Sequence, residues 1–277
     1  MNKKVYNPNN LIALGCLILI VIVLLSIFAN TVSTQNPYIG ESSKRLLEPS
    51  SKHFFGTDQQ GRDVFTRVLY GGRWTLTASF LTMAITLSLG IIIGVISGYF
   101  SGSWMDILIL RLMDTLMGFP FMILAMIISA LFGRGLIHLL TAVIIVKWIP
   151  FARLARSIVL KSKNEVRVLA AKVSGCSDMK IIIEELLPEI WSSCFALATF
   201  ELGELILSIS ALSFFGLGAK PPTPEWGGML ADSKAYFFQA PYLVFGPSLF
   251  IFLTVLGLNF IGEGLRDKLT PYEVLKI

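Results

Sequence analysis

Six long apolar runs, separated by shorter polar segments, organise this chain. Each run is about as long as a helix must be to cross the roughly 30 Å hydrocarbon core of a bilayer, and none alternates as barrel strands do. Backbone groups in lipid must bond within their own segment, so the pattern predicts six membrane-spanning helices. The runs are Leu11 to Ala29, Leu76 to Ser97, Leu112 to Phe132, Leu136 to Ala152, Ile190 to Phe215 and Leu243 to Ile261.

The first run follows a short basic N-terminus, an arrangement that a secretory signal peptide shares. It is longer than a typical signal-peptide core, and Ile27-Phe28-Ala29 makes a poor cleavage site. We therefore expect a retained anchor span. The expected organisation is an anchor over 1–29, an outer segment over 30–75, a membrane domain over 76–265 and an inner tail over 266–277.

Residues 165–188 form a charged stretch between the fourth and fifth runs. Within it, apolar positions recur at the i, i+3, i+4 and i+7 spacing of one helix face. An apolar helix face is stabilised by burial against another surface, so we expect a partner to dock here, close to the small residues Ala170 and Ala171. The apolar positions are Val166, Leu169, Ala170 and Val173.

Turn signals divide this stretch into two helices. Gly175 should end the first, and Ser177 or Asp178 should cap the second. Pro188 should then stop the second helix before the fifth span begins. The sequence therefore predicts a helical hairpin at the membrane surface.

Charge placement predicts the orientation of the chain. Lys and Arg are densest between the fourth and fifth runs. Basic loops remain preferentially on the cytoplasmic side, so the hairpin and, with six spans, both termini are expected to be cytoplasmic.

Composition supports a membrane protein, and the absence of several motifs argues against catalytic and metal sites. The chain is 54% hydrophobic with a mean hydropathy of +0.71, and its 15% of charged residues is below the roughly 25% of soluble domains. The net charge of +5 is scattered along loops, which does not indicate nucleic-acid binding. Phosphate-loop, zinc and nucleophile-elbow motifs are absent from the sequence, so we expect no catalytic, metal or cofactor site.

Two acidic residues stand inside the fifth run. Glu201 and Glu204 are three positions apart and share one helix face. A charge at mid-membrane costs at least about 2.5–3.5 kcal/mol, so both should face the protein interior or a wet cavity. They could form a wall that attracts cations or peptide amines, or a polar tie between helices. Lys147, late in the fourth run, is expected to extend toward the membrane surface.

Three stretches, in order, resemble the inner-membrane permease subunits of ABC importers, specifically the second permease of the dipeptide, oligopeptide and nickel group. The chain departs from that family's pattern in having Leu169 where an acidic residue is usual, and Glu185 and Glu189 where His and Asn are common. The stretches are Phe55 to Asp63 with Tyr70 to Arg73, then Ala170-Ala171, Gly175 and Leu187-Pro188, and finally Leu212 to Gly228 with Leu265 to Lys268.

The resemblance implies an all-α, type I ABC importer permease fold in the cell membrane. Its hairpin would insert into an ATPase subunit, so that ATP and Mg²⁺ bind there and not in this chain. The implied partners are a sister permease, two ATPase subunits and an extracytoplasmic substrate-binding protein. The implied coupling residues are Glu165, Leu169, Ala170, Ala171, Gly175, Asp178, Leu187 and Pro188.

The cargo is left open by the sequence. The family carries short peptides but also nickel or metal–chelate complexes, and Glu201 and Glu204 in a translocation path suit either a cation or a peptide ammonium. A rival hypothesis is a self-sufficient channel or proton-coupled carrier in which the same two glutamates form the relay. A membrane-embedded enzyme is a third and more distant alternative.

Overall fold

Helices account for most of the chain in the computed structural model, which describes residues 7–133 and 135–269. A wide π turn at Ile182–Leu186 and short 3-10 turns at Ser42–Lys44 and Lys234–Tyr236 supplement them. The helices are α1 Pro8–Ile27, α2 Ala29–Val32, α3 Val64–Tyr99, α4 Trp104–Met117, α5 Phe121–Phe132, α6 Leu136–Lys147, α7 Ile149–Ser162, α8 Val166–Val173, α9 Asp178–Ile181, α10 Leu187–Phe214, α11 Trp226–Ser233 and α12 Tyr242–Leu269.

Within the described residues, five helices are long and apolar enough to cross a membrane, and the count is six if α4 and α5 form one broken span. This confirms the predicted all-α membrane fold. The core lies among α3, α7, α10 and α12, and α1 packs along α12. The five unbroken spans are Pro8–Ile27, Val64–Tyr99, Leu136–Ser162, Asp178–Phe214 and Tyr242–Lys268.

The third apolar run is broken rather than merely kinked. α4 and α5 meet at 98° across residues 118–120. Pro120 supplies no N–H to the helix and disfavours helical backbone at Phe119, while Gly118 caps α4. The sequence predicted one span from Leu112 to Phe132, whereas the structure bends this segment by nearly a right angle.

α3 begins earlier than its apolar run suggests. Asp63 caps the helix, and its Oδ2 accepts a hydrogen bond of 2.7 Å from the backbone N–H of Thr66. Residues 64–75, which the sequence assigned to the outer segment, are therefore the first turns of a 36-residue helix.

A row of glycines at four-residue spacing lets α3 approach α7 closely. A Cβ atom on Gly90 would lie 2.6 Å from the carbonyl oxygen of Trp148, and one on Gly98 would lie 2.8 Å from Cβ of Val159. Such distances are too short for any other residue, so these two spans are joined by backbone contact.

Pro188 does not stop the second hairpin helix, contrary to the sequence prediction. The backbone N–H of Leu187 bonds to the carbonyl of Ile182, a five-residue step that forms the π turn. Pro188 then occupies the first turn of α10, where a missing N–H is tolerated. α9, the π turn and α10 consequently form one helix of 37 residues.

Candidate functional site

The hairpin of α8 and α9 presents an uncovered apolar face. Val166 and Val173, at the two ends of α8, are 82% and 90% exposed, and Leu169 between them is also exposed. On the opposite side of the helix, Val168 is buried against the core. The predicted face is therefore present in this chain with nothing packed on it.

The two alanines of the predicted ridge lie on different sides of α8. Ala170 is exposed beside Leu169, whereas Ala171 is half-buried and packs against the core. Successive helix positions differ by about 100° around the axis, and at Ala171 this turns the side chain from the exposed face toward the core. Of the two alanines expected beside the docking site, Ala170 is therefore the one that is fully open to a partner.

Arg167 fastens the hairpin to the membrane helices. Its Nε donates to Oε2 of Glu165 at 2.9 Å, and its Nη2 donates to Oε2 of Glu189 at 2.6 Å. Ser162, at the end of α7, donates to the same Glu189 oxygen at 3.0 Å. The Arg167 guanidinium holds the pKa of the Glu165 carboxyl below its usual value. Glu189, which the sequence marked only as a departure from the family, is thus a central anchor.

The remaining predicted coupling residues occupy the turn and the base of the hairpin. Gly175 adopts a φ of +80° and ends the first helix as predicted, and Asp178 begins α9 and accepts a hydrogen bond from Tyr99. At the base, Leu187 packs against the core and Pro188 lies on the surface. These residues thus form the turn of the hairpin and its junction with α10.

An ion cluster, which we call the triad, joins the membrane helices at mid-span. It consists of Lys147 on α6 and the two glutamates on α10. Lys147 Nζ lies 2.7 Å from Oε1 of Glu204 and 3.3 Å from Oε2 of Glu201, and 4.9 Å from the centre of the Phe121 ring. The triad therefore ties α5, α6 and α10 together beside the 98° break.

Lys147 does not extend to the membrane surface as expected. α7 continues the line of α6, so Lys147 is near the middle of a 27-residue span, Leu136–Ser162, rather than at its end. From there its side chain cannot reach an aqueous interface, and it is 10% exposed. It is satisfied instead by the two carboxylates.

The first and third motif stretches pack on each other at the opposite end of the molecule from the hairpin. The indole N–H of Trp226 donates to the carbonyl of Val68 at 2.9 Å, and Arg67 Nη1 donates to the carbonyl of Pro222 at 3.1 Å. Trp226 is fully buried. Burial raises the pKa of the neighbouring Glu225 carboxyl.

Among residues 7–133 and 135–269, no group of three or more His, Cys, Asp or Glu side chains is arranged to hold a metal ion.

A family model described as "Binding-protein-dependent transport system inner membrane component" matches residues 90–272. The chain belongs to this family. It is 41% identical over 97% of its length, and 88% of the relative's, to the dipeptide transport system permease protein DppC of Alkalihalophilus pseudofirmus. It is 43% identical over 93% of its length, and 85% of the relative's, to the glutathione transport system permease protein GsiD of Shigella flexneri.

These similarities make the chain a permease subunit of an ABC importer and a multi-pass membrane protein. Such permeases are not enzymes, because ATP hydrolysis resides in separate ATPase subunits, and the family works with a substrate-binding protein. The fold also matches a solved structure of the methionine ABC transporter MetNI in an inward-facing conformation, with a TM-score of 0.54 and 20% identity. That match covers 72% of this chain and 95% of the other.

Proposed function

We propose that this chain is one of two permeases in a cell-membrane importer that carries short peptides into the cytoplasm at the expense of ATP. The observation that carries the proposal is the similarity, along nearly the whole chain, to permeases named for dipeptide and glutathione transport. The complete complex contains a sister permease, two ATPase subunits and an extracytoplasmic substrate-binding protein.

The hairpin supports the coupling role in this proposal. Its uncovered apolar face, with Val166 and Val173 at either end, suits a groove on an ATPase subunit. When the ATPases close on ATP, they push the hairpin, and the unbroken helix from α9 to α10 passes that motion into the membrane. The pathway then changes the side to which it opens, as in other rigid-body switches.

Orientation follows from the same surface. The basic residues near the hairpin favour its placement on the cytoplasmic side of the membrane, where ATP is present. Both termini are then cytoplasmic under a six-span topology. These residues are Arg153, Arg156, Lys161, Lys163, Arg167 and Lys172.

The rival proposal, a self-sufficient channel or proton-coupled carrier, uses Glu201 and Glu204 as a proton relay. In the structure both carboxylates contact the Lys147 ammonium. Each carboxylate therefore already has a partner within the chain, and the contact accounts for both as a polar tie between α6 and α10. The triad therefore favours the ATP-driven importer over the relay.

Val173→Asp should uncouple the importer while leaving the chain folded. Val173 is almost fully exposed, so Asp at this position should cost the free chain little stability. Docking on the ATPase would bury its unpaired carboxylate, which weakens binding by about 2–5 kcal/mol, or more than tenfold in affinity. Co-purification of the ATPases and peptide uptake should both fall by at least about tenfold. Ala171→Asp is a poorer test, because Ala171 packs inside the hairpin.

Ser174→Asp is the matched control, since it adds the same charge one residue beyond the apolar face. It should retain ATPase binding and uptake. Normal uptake by Val173→Asp would contradict the coupling role and would favour a carrier that works without an ATPase.

Uptake by cells that lack this chain, with and without its restoration, tests the cargo. Labelled di- and oligopeptides should enter only when the chain is present. Labelled nickel with chelators is measured in parallel, because metal complexes are the other cargo known for this type of permease. Chain-dependent nickel uptake without peptide uptake would replace the proposal with metal import.

A further inference from the structure

The three members of the triad differ sharply in exposure. The side chains of Lys147 and Glu201 are 10% and 15% exposed, whereas that of Glu204 is 61% exposed. Glu204 lies near the middle of the long α10 span, far from both membrane surfaces. Exposure of a carboxylate to lipid at that depth is costly, so the face of α10 that carries Glu204 must border water or another protein.

The charges of the triad do not cancel. One ammonium group faces two carboxylates, which leaves one negative charge when all three groups are ionised. Lys147 Nζ lies closer to Glu204 than to Glu201, so the excess charge is shared by the two carboxylates. Of these two, Glu204 is the one that is open to its surroundings.

Two open depressions border α10, one before and one after Glu204 along the helix, although Glu204 itself lines neither. On the hairpin side a cavity of about 620 Å³ is lined by Leu197 and Phe200. On the other side a cavity of about 550 Å³ is lined by Leu207 and Ala211. These residues and Glu204 recur at three- and four-residue steps, which is one helix face. Glu204 thus shares a helix face with residues that line an open depression on either side of it.

We propose that Glu204 is the point in the translocation pathway at which the primary ammonium group of a peptide cargo binds. The cargo takes the position that the Lys147 ammonium occupies in this structure. This inference rests on the proposed function, because it assigns a binding residue for the peptide within the same importer.

The exchange is chemically balanced. Lys147 and a peptide N-terminus both present an –NH₃⁺ group, so Glu204 keeps an equivalent partner throughout. When Lys147 is displaced from Glu204, it retains Glu201 and the Phe121 ring. The displaced cation is therefore never left unpaired in the membrane, and its return releases the cargo. Such weak, reversible binding is what conduction through a pathway requires.

The test is direct binding to the complete purified complex with the substrate-binding protein omitted. The probes are labelled dialanine and N-acetyl-dialanine, which differ only in whether the N-terminus carries an ammonium group. The wild-type complex should bind dialanine at least about tenfold more tightly, the usual effect of one hydrogen bond between charged groups. Glu204→Gln should abolish this preference, and Glu204→Asp, which keeps the carboxylate at the same position, should retain it.

Equal binding of the two probes by the wild-type complex, or no binding of either, would overturn the inference. A preference that survives in Glu204→Gln would also overturn it. If that variant fails to assemble with its ATPases, the wild-type comparison still decides the outcome. Failure of the proposed function is a separate result, since wild-type cells would then show no chain-dependent peptide uptake.

Discussion

Replacing Lys147 with Met should remove most of the folded chain from the membrane. The substitution keeps the length of the side chain but leaves Glu201 and Glu204 facing each other without a cation. Breaking a buried ion pair from one side costs about 3–5 kcal/mol, a large fraction of ordinary folding stability. The amount of assembled complex that survives detergent extraction and mild heating measures the effect.

A second substitution provides the control for this prediction. Glu201→Gln in the Lys147→Met background removes the buried carboxylate and leaves only the exposed Glu204. This double variant should recover a large part of the lost complex. If Lys147→Met alone were as stable as the wild type, the triad would not hold the helices together.

Gly94→Ala should separate α3 from α7 and destabilise the chain. A Cβ at this position would lie 2.8 Å from Cβ of Ala155 and closer still to the backbone carbonyl of Ala152. A backbone atom in the middle of a span cannot move aside as a flexible side chain can. Overpacking of this kind costs about 1–3 kcal/mol or more, and the thermal midpoint of the assembled complex should fall.

Gly203→Ala is the matched control, because Gly203 is also a glycine within a membrane-spanning helix. A Cβ there would lie 3.5 Å or more from its neighbours, which is ordinary contact. Since Ala is a better helix former than Gly by about 1 kcal/mol, this variant should be neutral or slightly stabilised. Equal losses in the two variants would show that close packing at Gly94 is not the cause.

The features that the sequence predicted well are those encoded locally. Long apolar runs reveal spans because lipid leaves the backbone few alternatives to helix. Gly90, Gly94 and Gly98 are four residues apart, so they lie on one helix face and allow a neighbouring helix to approach closely. Gly175 likewise ends its helix through its own backbone freedom, with a φ of +80°.

The features that the sequence did not predict depend on the conformation of neighbouring segments and on tertiary packing. Pro188 is a stop signal taken alone, but the π turn before it lets the helix continue. Lys147 lies late in the fourth apolar run, which ends at Ala152, but the helix itself continues to Ser162. The apolar run alone therefore places Lys147 too close to the membrane surface. The orientation of Ala171 depends on its packing against the core, which no residue pattern states.

The absence of a break at Pro188 has a mechanical consequence. From Asp178 to Glu204 the chain is one stiff rod of about 39 Å, at 1.5 Å per residue. Tilting that lever by about 10° around its hairpin end moves Glu204 sideways by about 7 Å. The contact between Lys147 Nζ and Glu204 Oε1 is 2.7 Å long. A small rotation at the hairpin end is therefore amplified into a displacement of Glu204 that exceeds the length of that contact.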